Sequence, residues 1–248
     1  MKDYKCKVLA NEKLYDGAYA LMLEAEGLPE VKGGQFAMLT VPPADSILRR
    51  PLGIVTADEN SCSFLYQVKG KGTEALTRLR YGDDIEVMLP LGNGFPRVDC
   101  KRIAIVGGGF GVAPLLIPAK ENSDKEVRIY NGFATRSKIM LEGLFSETGK
   151  LTVCTDDGSY GFHGFPSQAL EREIDEFRPQ VIFCCGPETL MRAVKRIGES
   201  RGITTYLSLE QRMGCGVGAC LTCTCKIAGH NKRVCKDGPV FLSTEVFE

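Results

Sequence analysis

No charge of either sign predominates in this chain: Lys plus Arg and Asp plus Glu each total 31 of 248 residues, so the formal net charge is zero. That balance leaves no electrostatic footprint for nucleic acid or for an anionic membrane surface. Long hydrophobic runs are missing as well. The apolar run from Ile103 to Pro118 is too short and too rich in glycine to span a bilayer. The start, Met1-Lys2-Asp3-Tyr4-Lys5-Cys6-Lys7, offers no hydrophobic segment of a secretion signal. Histidine is scarce: His163 and His230 lie in polar loops, where solvated rings are expected rather than catalytic ones. There is no internal repeat and no low-complexity tract.

Cysteine, in contrast, is abundant, with eleven residues. Cys6, Cys62, Cys100, Cys154, Cys184 and Cys185 are scattered, mostly through apolar segments, while the other five crowd between Cys215 and Cys235. An odd total without a secretion signal argues against a disulfide framework and for a reducing compartment, so a cytoplasmic location is expected. Hydrophobic residues at 44% and charged residues at 25% are those of an ordinary globular protein. The length suffices for one large or two medium domains, each able to bury a core.

The first hundred residues read as short strands punctuated by glycine and proline. Phe36–Val41 is entered through Gly33-Gly34 and closed by Pro42-Pro43; Ser63–Val68 and Asp84–Leu89 alternate and end at Gly70 and Pro90. With one helical stretch at Thr73–Arg80, this pattern predicts a small antiparallel barrel or sandwich. Near Asp99 the texture changes. Strands are predicted at 102–106, 127–130, 151–155, 181–185 and 204–209, and helices from Ala113 and at 137–145, 166–177 and 188–201. Strict alternation of this kind implies a doubly wound parallel sheet. From Gln211 onward the chain is too short and too rich in cysteine for a conventional core and needs a metal or cluster to fold. The expected division is 1–98, 99–209 and 210–248.

Cys215-x4-Cys220-x2-Cys223-x11-Cys235 carries the most specific signal. The first two spacings are those of plant-type [2Fe–2S] ferredoxins, with a distant fourth ligand. Gly214-Cys-Gly-Val-Gly-Ala-Cys220 is made of small residues, which let backbone N–H groups approach cluster sulfurs. A structural zinc site also uses four thiolates, but zinc folds usually present two Cys-x2-Cys pairs and this chain has one. Cys225 follows Cys223 by two residues; it reads as a buried neighbour, with an exchange of ligand roles between the two as the alternative.

Gly107-Gly-Gly-Phe-Gly-Val-Ala-Pro114 follows a strand and opens a helix, as a pyrophosphate site requires, although Ala113-Pro114 stands where the Rossmann fingerprint has its last glycine. Cys184-Cys-Gly-Pro187 and Thr155-Asp-Asp-Gly-Ser159 end two other strands. Three small-residue loops on one edge of a parallel sheet imply a ligand crevice. In the first half, Arg49-Arg-Pro-Leu-Gly-Ile54 leads into an apolar strand and, taken alone, is equally a solvated edge turn.

Over essentially its whole length the sequence resembles the ferredoxin–NADP reductase superfamily: an Arg-Pro-x-Ser-like motif, a G-G-G-x-G-x-x-P turn and a Cys-Gly-Pro loop. The appended loop Arg212–Cys220, the ending Val234–Phe241 and the run Thr155–Gly161 are similar to one group, the electron-transfer subunits of NAD-dependent (B form) dihydroorotate dehydrogenase. The resemblance implies FAD, a [2Fe–2S] cluster and NAD as cofactors. It implies that Arg50 binds the FAD pyrophosphate, that Pro51, Leu52 and Gly53 line the flavin, and that Gln67, Val68 and Lys69 pass beside its ring. Gly72 and Thr73 would cap the phosphates. Gly108, Gly109 and Gly111 would face the dinucleotide, and Cys185 and Gly186 the nicotinamide. Gly53 departs from the family's Ser or Thr, whose hydroxyl reaches flavin N5; here a backbone N–H or water must make that contact. The implied partner is an FMN-containing dihydroorotate dehydrogenase catalytic subunit, in a heterotetramer of two copies each, with no catalytic acid or base in this chain. The runner-up is the small subunit of a sulfide dehydrogenase or an NADH–ferredoxin:NADP oxidoreductase, and a zinc-stapled binding module is the reading from another class. Phe241, Leu242, Val246 and Phe247 are apolar in a terminal segment; they either meet the partner or pack back on their own domain.

Overall fold

The computed structural model describes residues 2–41 and 47–247; Pro42 and Pro43, expected to close the third strand, lie outside them. The chain forms two compact units: Met1–Gly94 with Glu210–Cys225 and Asn231–Pro239, and Phe95–Leu209 with Lys226–His230 and Val240–Glu248.

Six antiparallel strands build the first unit: β1 (Lys2–Tyr15), β2 (Ala18–Glu24), β3 (Phe36–Leu39), β4 (Arg50–Ala57), β5 (Ser61–Gln67) and β6 (Asp84–Leu91). They close into a barrel in the order β1-β2-β5-β4-β3-β6, with β6 returning to β1 from Lys2↔Leu89 to Lys7↔Asp84. Closure leaves no open edge, so every strand finds two partners. Val8, Leu21, Phe64, Ile54, Val87 and Leu89 are buried in it. The helix α1 (Lys71–Leu76) is shorter than the predicted 73–80. Asn11 holds its end: the side-chain amide donates to the Leu76 and Leu79 carbonyls at 2.9 and 3.2 Å, and its oxygen accepts from the Tyr66 hydroxyl at 2.9 Å. Carbonyls left over at a helix end are thereby satisfied.

The second unit alternates β7 (Arg102–Gly108), α2 (Leu116–Glu121), β8 (Glu126–Phe133), α3 (Glu142–Ser146), β9 (Lys150–Thr155), β10 (Phe162–His163), α4 (Pro166–Phe177), β11 (Val181–Cys185), α5 (Glu188–Glu199) and β12 (Thr204–Ser208). After it come the hairpin β13 (Thr224–Ile227) and β14 (His230–Arg233), the short α6 (Val234–Asp237) and β15 (Val240–Leu242). The seven-stranded sheet has the order β10-β9-β8-β7-β11-β12-β15, parallel except for β15. Ile103–Val106 and Val181–Cys185 are buried throughout, as strands covered on both faces must be. Along α4 and α5, Leu170, Ile174 and Phe177, and Leu190, Val194 and Ile197, form the buried stripes. Strand order reverses between β7 and β11, which makes a crevice at their carboxyl ends. Among the described residues no helix is long and apolar enough to cross a membrane.

Two helical expectations are corrected. The glycine-rich turn opens a 3-10 helix, Gly109–Leu115, before α2 begins. Pro114 within it has no N–H to donate, which favours a short tight turn over a regular α-helix. The stretch 137–145 is not one helix: a 3-10 turn at Arg136–Lys138 is followed by extended Ile139 and left-handed Leu141 at φ 59° before α3.

The terminal segment packs back on its own unit. Phe241 on β15 pairs with Leu207 and is buried, Val246 is buried, and Phe247 lies 4.5 Å beneath the Arg192 guanidinium. Of the four, Leu242 is the one left at 36% exposure in this structure. Lys195 on α5 clamps the turn, its Nζ donating to the Ser243 and Val246 carbonyls at 2.7 and 2.8 Å. Lys195→Ala is expected to cost about 1–3 kcal/mol, since it removes hydrogen bonds from a charged donor. Urea denaturation and hydrogen exchange check this; unchanged stability with unchanged protection at residues 243–247 contradicts it.

Candidate functional site

The cysteine segment is anchored on the barrel. Asn93, just past β6, donates its backbone N–H to the Gly238 carbonyl at 2.6 Å and its side-chain amide to the Asp237 carbonyl at 3.2 Å. Arg233 binds the Asp237 carboxylate through Nε and Nη2 at 3.1 and 3.2 Å and reaches the Gly218 carbonyl at 3.4 Å, so it stitches the loop to α6. The same guanidinium holds the Asp237 carboxyl below the usual carboxylate range.

The four predicted sulfurs stand as two pairs. Cys215 Sγ accepts from the backbone N–H groups of Val217 and Cys220, each at 3.4 Å, and Cys223 Sγ accepts from Cys235 N–H at 3.4 Å. Hydrogen bonds from Thr222, and then from Cys215, bring the exposed Cys220 thiol down to about 6. Burial pushes the Cys235 thiol up to about 12. Among the described residues no three Cys, His, Asp or Glu side chains gather around one ion position. Two thiol pairs with backbone N–H groups aimed at their sulfurs fit a two-iron cluster, in which each iron takes two thiolates. A structural zinc would draw all four onto one ion. Cys225 is half-buried, and burial raises its thiol.

The predicted flavin residues share one region of the barrel. Arg50 begins β4, and its guanidinium occupies the space that a Cβ on Gly72 would need. Its Nη1 also donates to the Leu48 carbonyl at 2.6 Å. Arg49 turns elsewhere, pairing with Asp3 and, at 3.5 Å, with Glu86. Pro51, Leu52 and Gly53 are half-buried on β4 opposite Met38, Ala37 and Phe36 of β3. Gln67 ends β5; Val68 N–H donates to the Gly17 carbonyl at 2.8 Å, and Lys69 N–H donates to Thr73 Oγ1 at 2.9 Å. A guanidinium over a helix start beside half-buried strand residues suits an anionic, flat ligand.

In the second unit a cleft of about 530 Å³ opens at the carboxyl edge of the sheet. Gly108, Gly109, Phe133, Pro187 and Leu190 form part of its wall. Gly111 is packed against the Cys185–Gly186 backbone: a Cβ there would lie 2.5 Å from the Cys185 carbonyl oxygen. Thus the structure brings Gly108, Gly109, Gly111, Cys185 and Gly186 together, although Gly111, Cys185 and Gly186 do not line the cleft itself.

Among the described residues Asp156 is the one ionisable side chain lining this cleft, and the sequence-based site residues omitted it. Its backbone N–H is fixed to the Phe133 carbonyl at 3.0 Å, and its carboxylate makes no hydrogen bond or ion pair among the described residues. The adjacent Asp157 instead turns to Ser159, accepting from N–H and Oγ at 3.0 and 2.6 Å. The Asp-Asp-Gly run was visible in the sequence; which acid faces the cleft was not. Asn93 and Arg233 were also missed, because their partners are set by packing between distant segments.

Residues 210–247 match the family described as the iron-sulfur cluster binding domain of dihydroorotate dehydrogenase B. The chain is 42% identical over 245 residues to the dihydroorotate dehydrogenase B (NAD(+)) electron transfer subunit of Clostridium acetobutylicum, covering 97% of this chain and 95% of that one. It is 39% identical to the subunit of the same name from Listeria innocua, covering 99% of each. Among solved structures, an NADH-dependent reduced ferredoxin-NADP oxidoreductase, described in connection with flavin-based electron bifurcation, superimposes with a TM-score of 0.88 at 26% identity, covering 98% of this chain and 89% of that one.

The packing of the glycine-rich turn is testable without any ligand. Gly111→Ala forces a methyl against backbone atoms and is expected to destabilise the chain by about 1–3 kcal/mol. Gly143→Ala in α3, where nothing lies within 4 Å of the added carbon, is expected to be neutral or stabilising. Denaturant midpoints for the two variants check this, and equal midpoints contradict it.

Proposed function

Because the chain belongs to the family of dihydroorotate dehydrogenase B electron transfer subunits, we propose that it conducts electrons from an FMN-containing catalytic subunit, through a [2Fe–2S] cluster and FAD, to NAD+ in pyrimidine biosynthesis. The observation that carries this reading is the pair of thiol pairs held against a closed barrel, in a chain that also folds a doubly wound sheet with a cleft at its switch point. A flavin supplies the junction between the two-electron chemistry of a nicotinamide and the one-electron chemistry of an iron–sulfur cluster.

The chain's own residues bind, orient and shield. Cys215, Cys220, Cys223 and Cys235 would hold the cluster. Arg50 takes the FAD pyrophosphate, with Gly72 and Thr73 capping it. Pro51, Leu52, Gly53, Gln67, Val68 and Lys69 surround the flavin ring, with a backbone N–H or water in place of the hydroxyl that Gly53 lacks. Gly108, Gly109 and Gly111 receive the dinucleotide, and Cys185 and Gly186 border the nicotinamide. No side chain serves as a catalytic acid or base. The functional segments are 1–98 for FAD, 99–209 for NAD and 210–248 for the cluster. The assembly is a heterotetramer with two copies of each subunit, in the cytoplasm, a location supported by eleven free cysteines.

Asp156 favours NADH over NADPH. An acid alone in a cleft of small and apolar residues accepts hydrogen bonds from ribose hydroxyls and repels a 2′-phosphate, while the nearby Arg136 is turned over the Tyr160 ring at 5.4 Å. Asp156→Ser is expected to raise the NADPH-to-NADH ratio of kcat/KM about tenfold, which is about 1.4 kcal/mol. An unchanged ratio contradicts the assignment.

Two further experiments test the reading. Arg50→Ala loses FAD on purification, whereas Arg49→Ala, whose guanidinium faces Asp3 and Glu86, retains it; a charge-assisted contact to phosphate contributes about 1.5–3 kcal/mol. Equal flavin content in both variants refutes the role of Arg50. Co-expression with a dihydroorotate dehydrogenase catalytic subunit should give a stable complex that reduces NAD+ with dihydroorotate, whereas this chain alone should only pass electrons from NADH to artificial acceptors. Turnover of dihydroorotate by the isolated chain refutes the subunit assignment.

A further inference from the structure

The cysteine loop meets the barrel at a fully buried methionine. Gly216, next to Cys215, has φ of +72°, and a Cβ on it would lie 2.6 Å from Met38 Cγ and 3.2 Å from Met38 Sδ. Leu91 Cδ1 would be 3.3 Å away. The loop backbone therefore rests directly on the Met38 side chain, which has no exposure to solvent. On β3, Met38 is the cross-strand partner of Pro51 of β4 and of Met88 of β6. Pro51 stands between Arg50 and Leu52. One side chain thus links the backbone beside a proposed iron ligand to the strand proposed to carry the flavin.

We propose that Met38 is a positioning residue: it seats the cysteine loop on the barrel and so fixes the separation across which single electrons pass between FAD and the cluster. This rests on the cofactor reading given above. The other half of the segment is already pinned by Asn93 to the Asp237 and Gly238 carbonyls, so Met38 sets the height of the half that carries Cys215 and Cys220. Methionine suits the task. Its unbranched, polarisable thioether fills an irregular gap, whereas a β-branched side chain is stiff at its first torsion. Shortening it to alanine leaves a void into which the loop relaxes only in part. The electron count closes with NADH as reductant. NADH would supply a hydride, two electrons and one proton, with a second proton from solvent, and bound FAD would release the electrons singly to the cluster, each with a proton to solvent.

The test uses the anaerobically purified full chain carrying FAD and cluster, with Met38→Ala, the volume-conserving Met38→Leu and Gly216→Ala. The first readout involves no turnover: the rate at which an iron chelator strips the oxidised cluster. The second is stopped-flow reduction by NADH, read as the ratio of the cluster-bleaching rate to the flavin-bleaching rate. Met38→Ala and Gly216→Ala are expected to lose iron several-fold faster and to show a several-fold lower ratio, with Met38→Leu close to wild type in both. A chelation rate and a bleaching ratio indistinguishable from wild type in either folded alanine variant overturn the proposal. Should both alanine variants fail to fold, a Met38→Leu protein that loses iron as fast as unfolded chain also overturns it. A wild-type chain that carries neither FAD nor iron is a different failure, because it removes the cofactor reading on which the proposal stands.

Discussion

Main chain approaching closer than any Cβ would permit is the constraint on which both halves of this molecule depend. At Gly216 the cysteine loop lies on Met38, and at Gly111 the turn after β7 lies on the Cys185 carbonyl. In each case a backbone must come nearer to another element than a side chain would allow. The rest of the fold is arranged to make those approaches possible. Barrel closure between β1 and β6 gives the cysteine segment a rigid wall. The reversal of strand order between β7 and β11 leaves the crevice that the glycine-rich turn borders.

The four cysteines proposed as cluster ligands have a second requirement, which is charge. A metal thiolate needs its proton gone, and two of the four, Cys220 and Cys235, differ in how readily that happens. Cys220, exposed and hydrogen-bonded by Thr222, sits near 6, whereas burial holds Cys235 near 12. Metal binding would ionise the buried member, so that occupancy and folding of this segment would be linked. Asn93 and Arg233 complete the arrangement from outside, one holding the chain past Cys235 and the other joining Gly218 to Asp237.

Much of this was legible in the sequence, for local reasons. The helix at 166–177 and the strand at 181–185 fell on the expected residues, because a proline at the first helical turn and a short, wholly apolar run are strong local signals. The cysteine spacing and the glycine-rich turn were equally plain. The first two strands were not, since on β1 only Cys6 and Val8 are buried among exposed lysines and acids. The 137–145 stretch looked helical because its apolar residues recur at a suitable spacing, yet Leu141 adopts a left-handed conformation there. Phe241 and Val246 read equally as a partner surface or as packed on their own domain, because their cover, β12 and α5, is supplied by distant residues. The same reason hid Asp156 and Met38: which side chain faces a cleft or meets a loop is decided by packing, not by local pattern.

What the four cysteines hold decides whether this chain can carry single electrons. Anaerobically purified chain should contain about two irons per molecule and show visible absorption from flavin and cluster that NADH bleaches. A colourless protein with stoichiometric zinc and no iron would contradict it.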